Sequence, residues 1–322
     1  MSKHPSNAVS GLSGWTFVDD AGTTITFKGR IGKGHYGAVY DVTYLTRENV
    51  FFGGDCPLVC KVQDLNRMSP EERMAVENET RVMRMLSERG HPLGLVYEGY
   101  YEGDLLFIIT KKMTGGTLKE YLESRVRGRV SEECAVVIVR QILEELSILE
   151  ELGICHRDIK PENIFLTHGG DFTDRVNPPR CVIGDFGLSA FCPRDARIRG
   201  AFGNDRYSAP EVFNSFYSVK CDVWSLGVVM ARLLIGKTFD FATCYFVEKT
   251  LRDGLIYIKT RMQDRLERVC SAEAVECFTQ LCTADYENRK YASEMLMHSW
   301  FRKCVSVEIS TRDDKTMKLT VV

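Results

Sequence analysis

Residues 155–163 read Cys-His-Arg-Asp-Ile-Lys-Pro-Glu-Asn, and this stretch decides how the rest of the chain is interpreted. It follows the apolar helical pattern of residues 138–149 and is itself too polar for a core segment. Asp158 offers a general base, Lys160 a positive charge, and Asn163 an oxygen ligand for a hard metal ion. The pattern therefore predicts a loop that is held in place for chemistry.

The same stretch resembles the catalytic loop of eukaryotic protein kinases, whose pattern is H-R-D-x-x-x-x-N. In that family the aspartate accepts the proton of the substrate hydroxyl, so the resemblance implies this role for Asp158. It also implies that Lys160 steadies the transferring phosphoryl group. One loop can match by accident, and the remaining chain has to supply the partners that such a loop needs.

A glycine-rich run, Gly-Lys-Gly-His-Tyr-Gly, occupies residues 32–37. Alone it is a weak signal, because ordinary turns also use glycine clusters. The β-branched and aromatic run 39–44 predicts that a strand follows, whereas a dinucleotide-binding loop should open a helix. This order resembles the kinase flap that covers the phosphates of ATP. The resemblance implies nucleotide contacts from Ile31, Gly32, Lys33, Gly34, Gly37 and Val39.

An apolar strand ends at Lys61, which on its own would be a surface lysine with a buried stem. The run 69–72, Ser-Pro-Glu-Glu, predicts a helix start with a serine N-cap and a capping box. Glu79 falls in the apolar stripe of this helix, where an unpaired carboxylate is costly. We predict that Glu79 pairs with Lys61; the alternative is an exposed glutamate on an irregular stripe. In kinases the equivalent pair orients the phosphates.

Glycine and charge interrupt the strand pattern at residues 110–116, Thr-Lys-Lys-Met-Thr-Gly-Gly, as in a linker between two lobes. The resemblance implies that residues 111–116 are the kinase hinge, where backbone groups of Lys111 and Met113 bind adenine. It places Thr110 behind the adenine as a small gatekeeper and Val59 above it.

A predicted strand over residues 181–183 leads into Gly-Asp-Phe-Gly at 184–187. The tripeptide D-F-G is common, but its position downstream of Asn163 fits the kinase order. The resemblance implies that Asp185 and Asn163 hold Mg²⁺ on the phosphates of ATP. It also implies that Phe186 packs towards Met83 and His156.

Further motifs extend the resemblance over about residues 27–301. Residues 208–211, Ser-Ala-Pro-Glu, match the A-P-E signature, and the family pairs its glutamate, here Glu211, with Arg289. We predict a bilobal α+β protein kinase fold. Its parts are a flexible tail (1–24), a β-rich N-lobe with one key helix (25–110), the hinge (111–116), a mainly helical C-lobe (117–303) and a C-terminal tail (304–322).

The composition limits the class of protein. The 322 residues suffice for two domains, and 44% hydrophobic with 27% charged residues is typical of a globular protein. A net charge of −2 gives no general attraction to nucleic acid or anionic membranes, so neither is expected as a partner. The first thirty residues lack a signal-peptide core, and the twelve cysteines form no C-x-x-C pair of the kind used for zinc. A cytoplasmic setting is expected, with the nucleus as the alternative.

The segment before Glu211 departs from the kinase pattern. Asn204 stands where most serine/threonine kinases have threonine, and Gly200 stands at the usual phosphate-accepting position. In the family, the arginine at the position of Arg157 binds an activating phosphate. Here the activation segment carries like charges that are expected to repel Arg157: Arg194, Arg197, Arg199 and Arg206. We hypothesise that activity does not depend on ordinary activation-loop phosphorylation.

These patterns predict a serine/threonine protein kinase that uses ATP and Mg²⁺ on protein substrates, with an activating protein partner left open. Lys160 at its position in the loop favours the serine/threonine type. Glu162 suggests a weak preference for basic residues near the target. The main alternative is a pseudokinase that binds ATP and acts as a scaffold or allosteric activator; a small-molecule kinase of related fold is a third.

Overall fold

In the computed structural model of the chain, the contacts between residues define two compact units, residues 1–113 and 114–322. The boundary falls inside the predicted hinge. The structure describes residues 11–20, 22–33, 37–45, 51–52, 57–101, 105–174, 177–200, 206–214, 216–236 and 251–303.

An antiparallel sheet forms the main part of the first unit. Its strand order is β1-β2-β3-β5-β7-β6, and β4 pairs with β3 outside that path. The strands are β1 (Thr16–Val18), β2 (Thr24–Lys33), β3 (Gly37–Leu45), β4 (Phe51–Phe52), β5 (Leu58–Asp64), β6 (Tyr97–Tyr101) and β7 (Leu105–Lys111).

The sheet has one face buried in an apolar core. Side chains alternate along β3 and β5, so that Tyr40 and Val62 enter this core while Val39 and Lys61 point to the other face. Phe27 and Phe107 meet in the core with ring centroids 5.4 Å apart. The alternation therefore separates the packing face of the sheet from a face that is left for a ligand.

The prediction of a flexible tail over residues 1–24 is wrong for residues 11–20 and 22–24. Strand β1 pairs with β2, Leu12 is buried, and Phe17 packs edge-on against Phe27 with ring centroids 5.4 Å apart. The polar composition around these residues favoured a tail, but two apolar side chains at the right spacing suffice to join the sheet.

Helix α1 (Pro70–Glu88) begins as the sequence predicts. Ser69 Oγ accepts a hydrogen bond from the backbone N–H of Glu72, and the Glu72 carboxylate accepts one from the N–H of Ser69. This capping box satisfies two donors at the helix start. Val82 and Leu86 bury the apolar stripe that also carries Glu79.

The second unit is mainly helical. Its helices are α2 (Leu118–Glu123), α3 (Glu132–Glu151), α4 (Lys220–Ile235), α5 (Leu251–Leu266), α6 (Ala272–Leu281) and α7 (Ala292–Met295). Three short antiparallel pairs lie between them. They are β8 (Ile154–Cys155) with β11 (Ala190–Phe191), β9 (Ile164–Leu166) with β10 (Cys181–Ile183), and β12 (Ile198–Arg199) with β13 (Phe216–Tyr217).

Helix α4 is the buried centre of this unit. Along it, Trp224, Leu226 and Leu233 are almost completely inaccessible. Within the described part of the chain, no helix combines the length and the apolar character needed to cross a bilayer.

The predicted bridge between Glu211 and Arg289 is present. The guanidinium group of Arg289 donates from Nη1 to Glu211 Oε1 at 2.5 Å and from Nη2 to Oε2 at 2.9 Å. Both side chains are buried, and Arg289 also donates to the carbonyl of Lys220 at the start of α4. This bidentate ion pair binds the A-P-E segment to the helical core.

The burial of His298 leads to a pH prediction. Burial lowers the pKa of His298 below its ordinary value of 6.5, and Nδ1 accepts a hydrogen bond from Trp300 N–H at 3.1 Å. The folded protein therefore binds fewer protons here than the unfolded chain. The stabilisation is complete above pH 6.5 and is lost as the pH falls from there towards the lower folded-state pKa.

The His298→Asn variant keeps an acceptor but does not titrate. Between about pH 7.5 and 5.5, its free energy of unfolding should fall less than that of the wild type. Urea denaturation at several pH values measures the difference. Parallel curves for the two proteins would contradict the assignment.

Candidate active site

Lys61 and Glu79 form the ion pair that the sequence predicts. Lys61 Nζ donates to both carboxylate oxygens of Glu79, at 2.7 and 2.8 Å. The Glu79 side chain is 7% exposed and that of Lys61 27% exposed, so the carboxylate lies on the buried stripe of α1 while the lysine keeps access to the open face of the sheet. The pair fixes the position of a cation on that face.

Several predicted nucleotide contacts share this face of the sheet. Val39 pairs across the strands with Lys61, and Val59 pairs with Thr110, so these four side chains project to the same side. Thr110 is buried, as a residue behind a bound ring should be.

The pairing of β2 with β3 and of β3 with β5 accounts for two more predicted nucleotide contacts, Gly32 and Gly37. Gly32 pairs with Val39 and Lys33 with Ala38, so the flap begins inside the β2–β3 pair. A Cβ on Gly37 would lie 1.8 Å from the carbonyl oxygen of Val62, so only glycine fits there. The strands approach closely where the flap emerges.

For three other predicted nucleotide contacts, the structure shows only the exposure of the side chain or the position in the chain. Ile31 is 48% exposed in β2, Lys111 ends β7, and Met113 is the last residue of the first unit. Gly34 and Asn204 lie outside the described residues. The predicted packing of Phe186 against Met83 would join the two units and stays a prediction.

Asp222, at the start of α4, binds the backbone of the loop 155–163. Its carboxylate accepts hydrogen bonds from the backbone N–H groups of His156 at 2.7 Å and Arg157 at 2.8 Å. These two bonds hold Arg157 at a left-handed φ of 69°. Burial raises the pKa of Asp222, and the nearby His156 and the two N–H donors act in the opposite direction.

Sequence reasoning gave Asp222 no role in this loop. The available signal was a carboxylate in the first turn of a helix that is otherwise almost wholly buried, since a buried carboxylate needs donors.

Asp158, Lys160 and Asn163 form one hydrogen-bonded group in the loop. Lys160 Nζ donates to Asp158 Oδ2 at 2.5 Å, and Asn163 Nδ2 donates to the same oxygen at 2.9 Å. Asn163 Nδ2 also donates to the backbone carbonyl of Asp158 at 3.0 Å. The Asp158 carboxylate is therefore locked in one orientation, which suits a general base.

The β9–β10 hairpin brings the two predicted metal ligands to the same end of the second unit. Ile164 pairs with Ile183, and the N–H of Gly184 donates to the carbonyl of Asn163 at 3.0 Å, one residue before Asp185. The Asn163 amide nitrogen is committed to Asp158, which leaves its oxygen for a cation, and Asp185 is exposed. A carboxylate and an amide oxygen are ligands that suit Mg²⁺.

His156 is a packed residue, and the predicted packing of Phe186 towards it is present. Its ring lies edge-on to Phe186, with centroids 5.3 Å apart, and Nε2 contacts the carbonyl of Gly184 at 3.1 Å. It joins the loop to the D-F-G segment.

Arg157 is engaged by the chain itself. Its Nε donates to the Leu188 carbonyl at 2.5 Å, its Nη2 to the Ser189 carbonyl at 3.2 Å, and its Nη1 to Tyr217 Oη at 3.4 Å. The guanidinium group also lies 5.5 Å from the centroid of the Tyr217 ring. These contacts bind the start of the activation segment directly.

The expectation that the segment arginines repel Arg157 is wrong for those whose contacts are seen. Arg194 pairs with Glu150 at 3.3 Å and Glu294 at 3.6 Å, and Arg197 pairs with Glu287 at 2.6 Å. Other contacts occupy Arg199, which lies over the ring of Phe216, and Arg206. Arg194 thereby binds the segment to α3 and α7, and Arg197 binds it to the turn between α6 and α7.

Comparison with known proteins fits this geometry. Residues 25–301 match the protein kinase domain family. The chain belongs to that family. The predicted family and α+β fold are thereby confirmed, and the match covers the ion pair, the locked aspartate and the D-F-G segment.

The curated relatives of this kinase-family chain include plant protein kinases. A calcium/calmodulin-dependent serine/threonine-protein kinase 1 of Oryza sativa subsp. japonica is 30% identical over 289 residues, which cover 85% of this chain and 46% of that protein. CDPK-related kinase 3 of Arabidopsis thaliana is 30% identical over 278 residues, covering 84% and 43%. The chain spans less than half the length of these relatives.

The buried Glu79 carboxylate gives a stability prediction. Lys61→Met should lower the free energy of unfolding by about 1–3 kcal/mol, because Glu79 loses its cation. Adding Glu79→Leu should restore most of this loss, since no buried charge then remains. Chemical denaturation of the three proteins tests this, with exposed Lys28→Met as the matched control. A double variant as unstable as Lys61→Met would contradict it.

Proposed function

We propose that the protein transfers the γ-phosphate of ATP to serine or threonine hydroxyls of protein substrates. The observation that carries the proposal is the locked group of Asp158, Lys160 and Asn163 in a chain of the protein kinase family. The serine/threonine type is supported by the loop sequence around Lys160 and by the relatives' names.

In the proposed reaction the substrate hydroxyl oxygen attacks the γ-phosphorus of ATP, and the bond from that phosphorus to the bridging oxygen of ADP breaks. Asp158 accepts the hydroxyl proton as the new O–P bond forms. Lys160 and Asn163 keep the receiving oxygen of Asp158 in place, and Lys160 adds positive charge beside the transferring group.

The remaining site residues position the nucleotide. Lys61, held by Glu79, presents its ammonium group to the α- and β-phosphates. Asn163 and Asp185 would hold Mg²⁺, which neutralises phosphate charge when bound. Catalysis of this kind relies on orientation and charge stabilisation more than on covalent chemistry.

We also propose that activity does not require a phosphate on the activation segment. Arg157 already binds this segment through backbone carbonyls. Ser189 and Ser208 are buried, and Ser189 Oγ donates to the Phe186 carbonyl at 2.6 Å. A phosphate on either serine would break the packing that orders the segment.

The substrate preference that we propose is weakly basic. Glu162 carries the negative charge that would attract basic residues, but its Oε1 lies 3.3 Å from Lys119 Nζ. A partly exposed lysine at this distance offsets part of that charge.

The reaction can be tested with a positional-scanning peptide array and labelled ATP. Asp158→Asn keeps the shape of the side chain but removes the base, so we expect the rate of transfer to fall by about 10²–10⁴-fold. The wild type should show a weak preference for basic positions.

Two results of the array would contradict the proposal. Equal labelling by wild type and Asp158→Asn would assign the transfer to another protein. A wild type that is thermally stabilised by Mg-ATP yet labels no peptide would support the pseudokinase alternative.

The role of Arg157 predicts a specific response to phosphatase. The wild type should keep its rate after phosphatase treatment, whereas Arg157→Ala should lose about tenfold in kcat because the segment loses its anchor. Arg268→Ala, which removes an exposed arginine outside the segment, is the control. Loss of wild-type activity on phosphatase treatment, or in Ser189→Ala and Ser208→Ala, would overturn this part of the proposal.

A further inference from the structure

A cavity of about 540 Å³ opens in the second unit, away from the loop 155–163. We call it the arginine cavity, because three arginines line it: Arg125, Arg127 and Arg129. Its other walls include Val130 before α3, Leu234 near the end of α4, and Val269 after α5. The volume is in the range of pockets that hold small organic ligands.

The charges of the arginine cavity are unbalanced. The side chains that line it include three guanidinium groups and one carboxylate, that of Glu132. Glu132 is already occupied: Oε1 accepts from Ser271 Oγ at 2.5 Å and from Trp300 Nε1 at 3.0 Å, and Oε2 accepts from Ser271 N–H at 2.8 Å. It is held by Ser271 and Trp300, and its single negative charge leaves the three arginines of the lining in excess.

Arg127 and Arg129 take part in no ion pair within the part of the chain that the structure describes. Arg125 is oriented by Asp171, 3.5 Å away, and by the Tyr121 ring, 4.3 Å from its guanidinium carbon. Even so, its buried Nε has no hydrogen-bond partner among the described residues. This atom has almost no accessible surface, so a ligand in the cavity cannot reach it, and the accessible positive charge comes from the exposed Arg127 and Arg129.

The walls are fixed before any ligand arrives. Arg232 Nη1 donates to the Gly128 carbonyl at 3.0 Å, and Val130 N–H donates to the Leu233 carbonyl at 2.9 Å. Directly before these anchors Arg127 has a left-handed φ of 60°. The arginine run is thus clamped to α4, and little ordering is needed on binding.

Apolar surface lies beside the free guanidinium groups. Val126 is 86% exposed and Val269 55% exposed, and both line the cavity with Val130 and Leu234. A bare inorganic anion would leave this surface in water, whereas an organic anion would cover it. The neighbouring Cys270 does not suggest covalent chemistry, because burial raises the pKa of its thiol to about 11.

We propose that the arginine cavity binds a small amphipathic anion, a phosphate or carboxylate attached to an apolar body. Planar guanidinium groups of Arg127 and Arg129 bind the oxygens of such a group in paired hydrogen bonds, and the valines cover the apolar part. This site is separate from the residues that carry the proposed phosphoryl transfer.

Isothermal titration calorimetry with the full chain tests the proposal. The probes are 1-naphthyl phosphate and 1-naphthoate, which distinguish the two oxyanions, with inorganic phosphate and 1-naphthol as single-feature controls. At least one naphthyl anion should bind, more tightly than either control. Arg127→Gln and Arg129→Gln should each weaken this binding by about tenfold or more, because each removes charge-assisted hydrogen bonds.

The matched control is Arg268→Gln, an exposed arginine beside Val269 that does not line the cavity; it should bind as the wild type does. Thermal unfolding without probe confirms that each variant folds. Undiminished binding by both cavity variants would overturn the proposal and place the probe elsewhere, for example in a nucleotide site. So would binding of inorganic phosphate or 1-naphthol as tight as that of the naphthyl anions, or no binding of either anion. Phosphoryl transfer is not measured, so the outcome does not depend on the proposed activity.

Discussion

The buried carboxylate of Asp222 is the constraint on which the second unit depends. It accepts two backbone N–H groups from the loop 155–163 and thereby fixes a strained turn at Arg157. A carboxylate without water is stable only when such donors surround it, so loop and helix each require the other. The backbone that leads into Asp158 is therefore positioned by a carboxylate that lies outside the group of Asp158, Lys160 and Asn163.

A buried carboxylate has a similar role in the first unit. Glu79 sits on the buried side of α1 and is balanced by Lys61, whose strand separates an apolar core from an open face. In both units a buried carboxylate fixes a functional element by accepting hydrogen bonds. The rigid parts of the fold therefore lie directly beneath the groups that would do chemistry.

Much of this could be predicted from the sequence, because the signals were local. The capping box at Ser69 and the apolar stripe around Glu79 determine helix and ion pair from neighbouring residues. The partners of Arg157 could not be predicted, because two are backbone carbonyls that leave no mark in sequence. The pairing of Arg194 with Glu150 was missed because the fold joins distant parts of the chain.

Strand β1 changes how the chain should be divided for study. It covers the edge of β2, and Phe17 fills space against Phe27 and Phe107. A recombinant fragment that starts at Ile25, where sequence similarity to other kinases begins, would leave β2 as an unprotected edge with its apolar neighbours uncovered. Such edges promote association between chains, so solubility of the isolated domain depends on residues that carry no kinase motif.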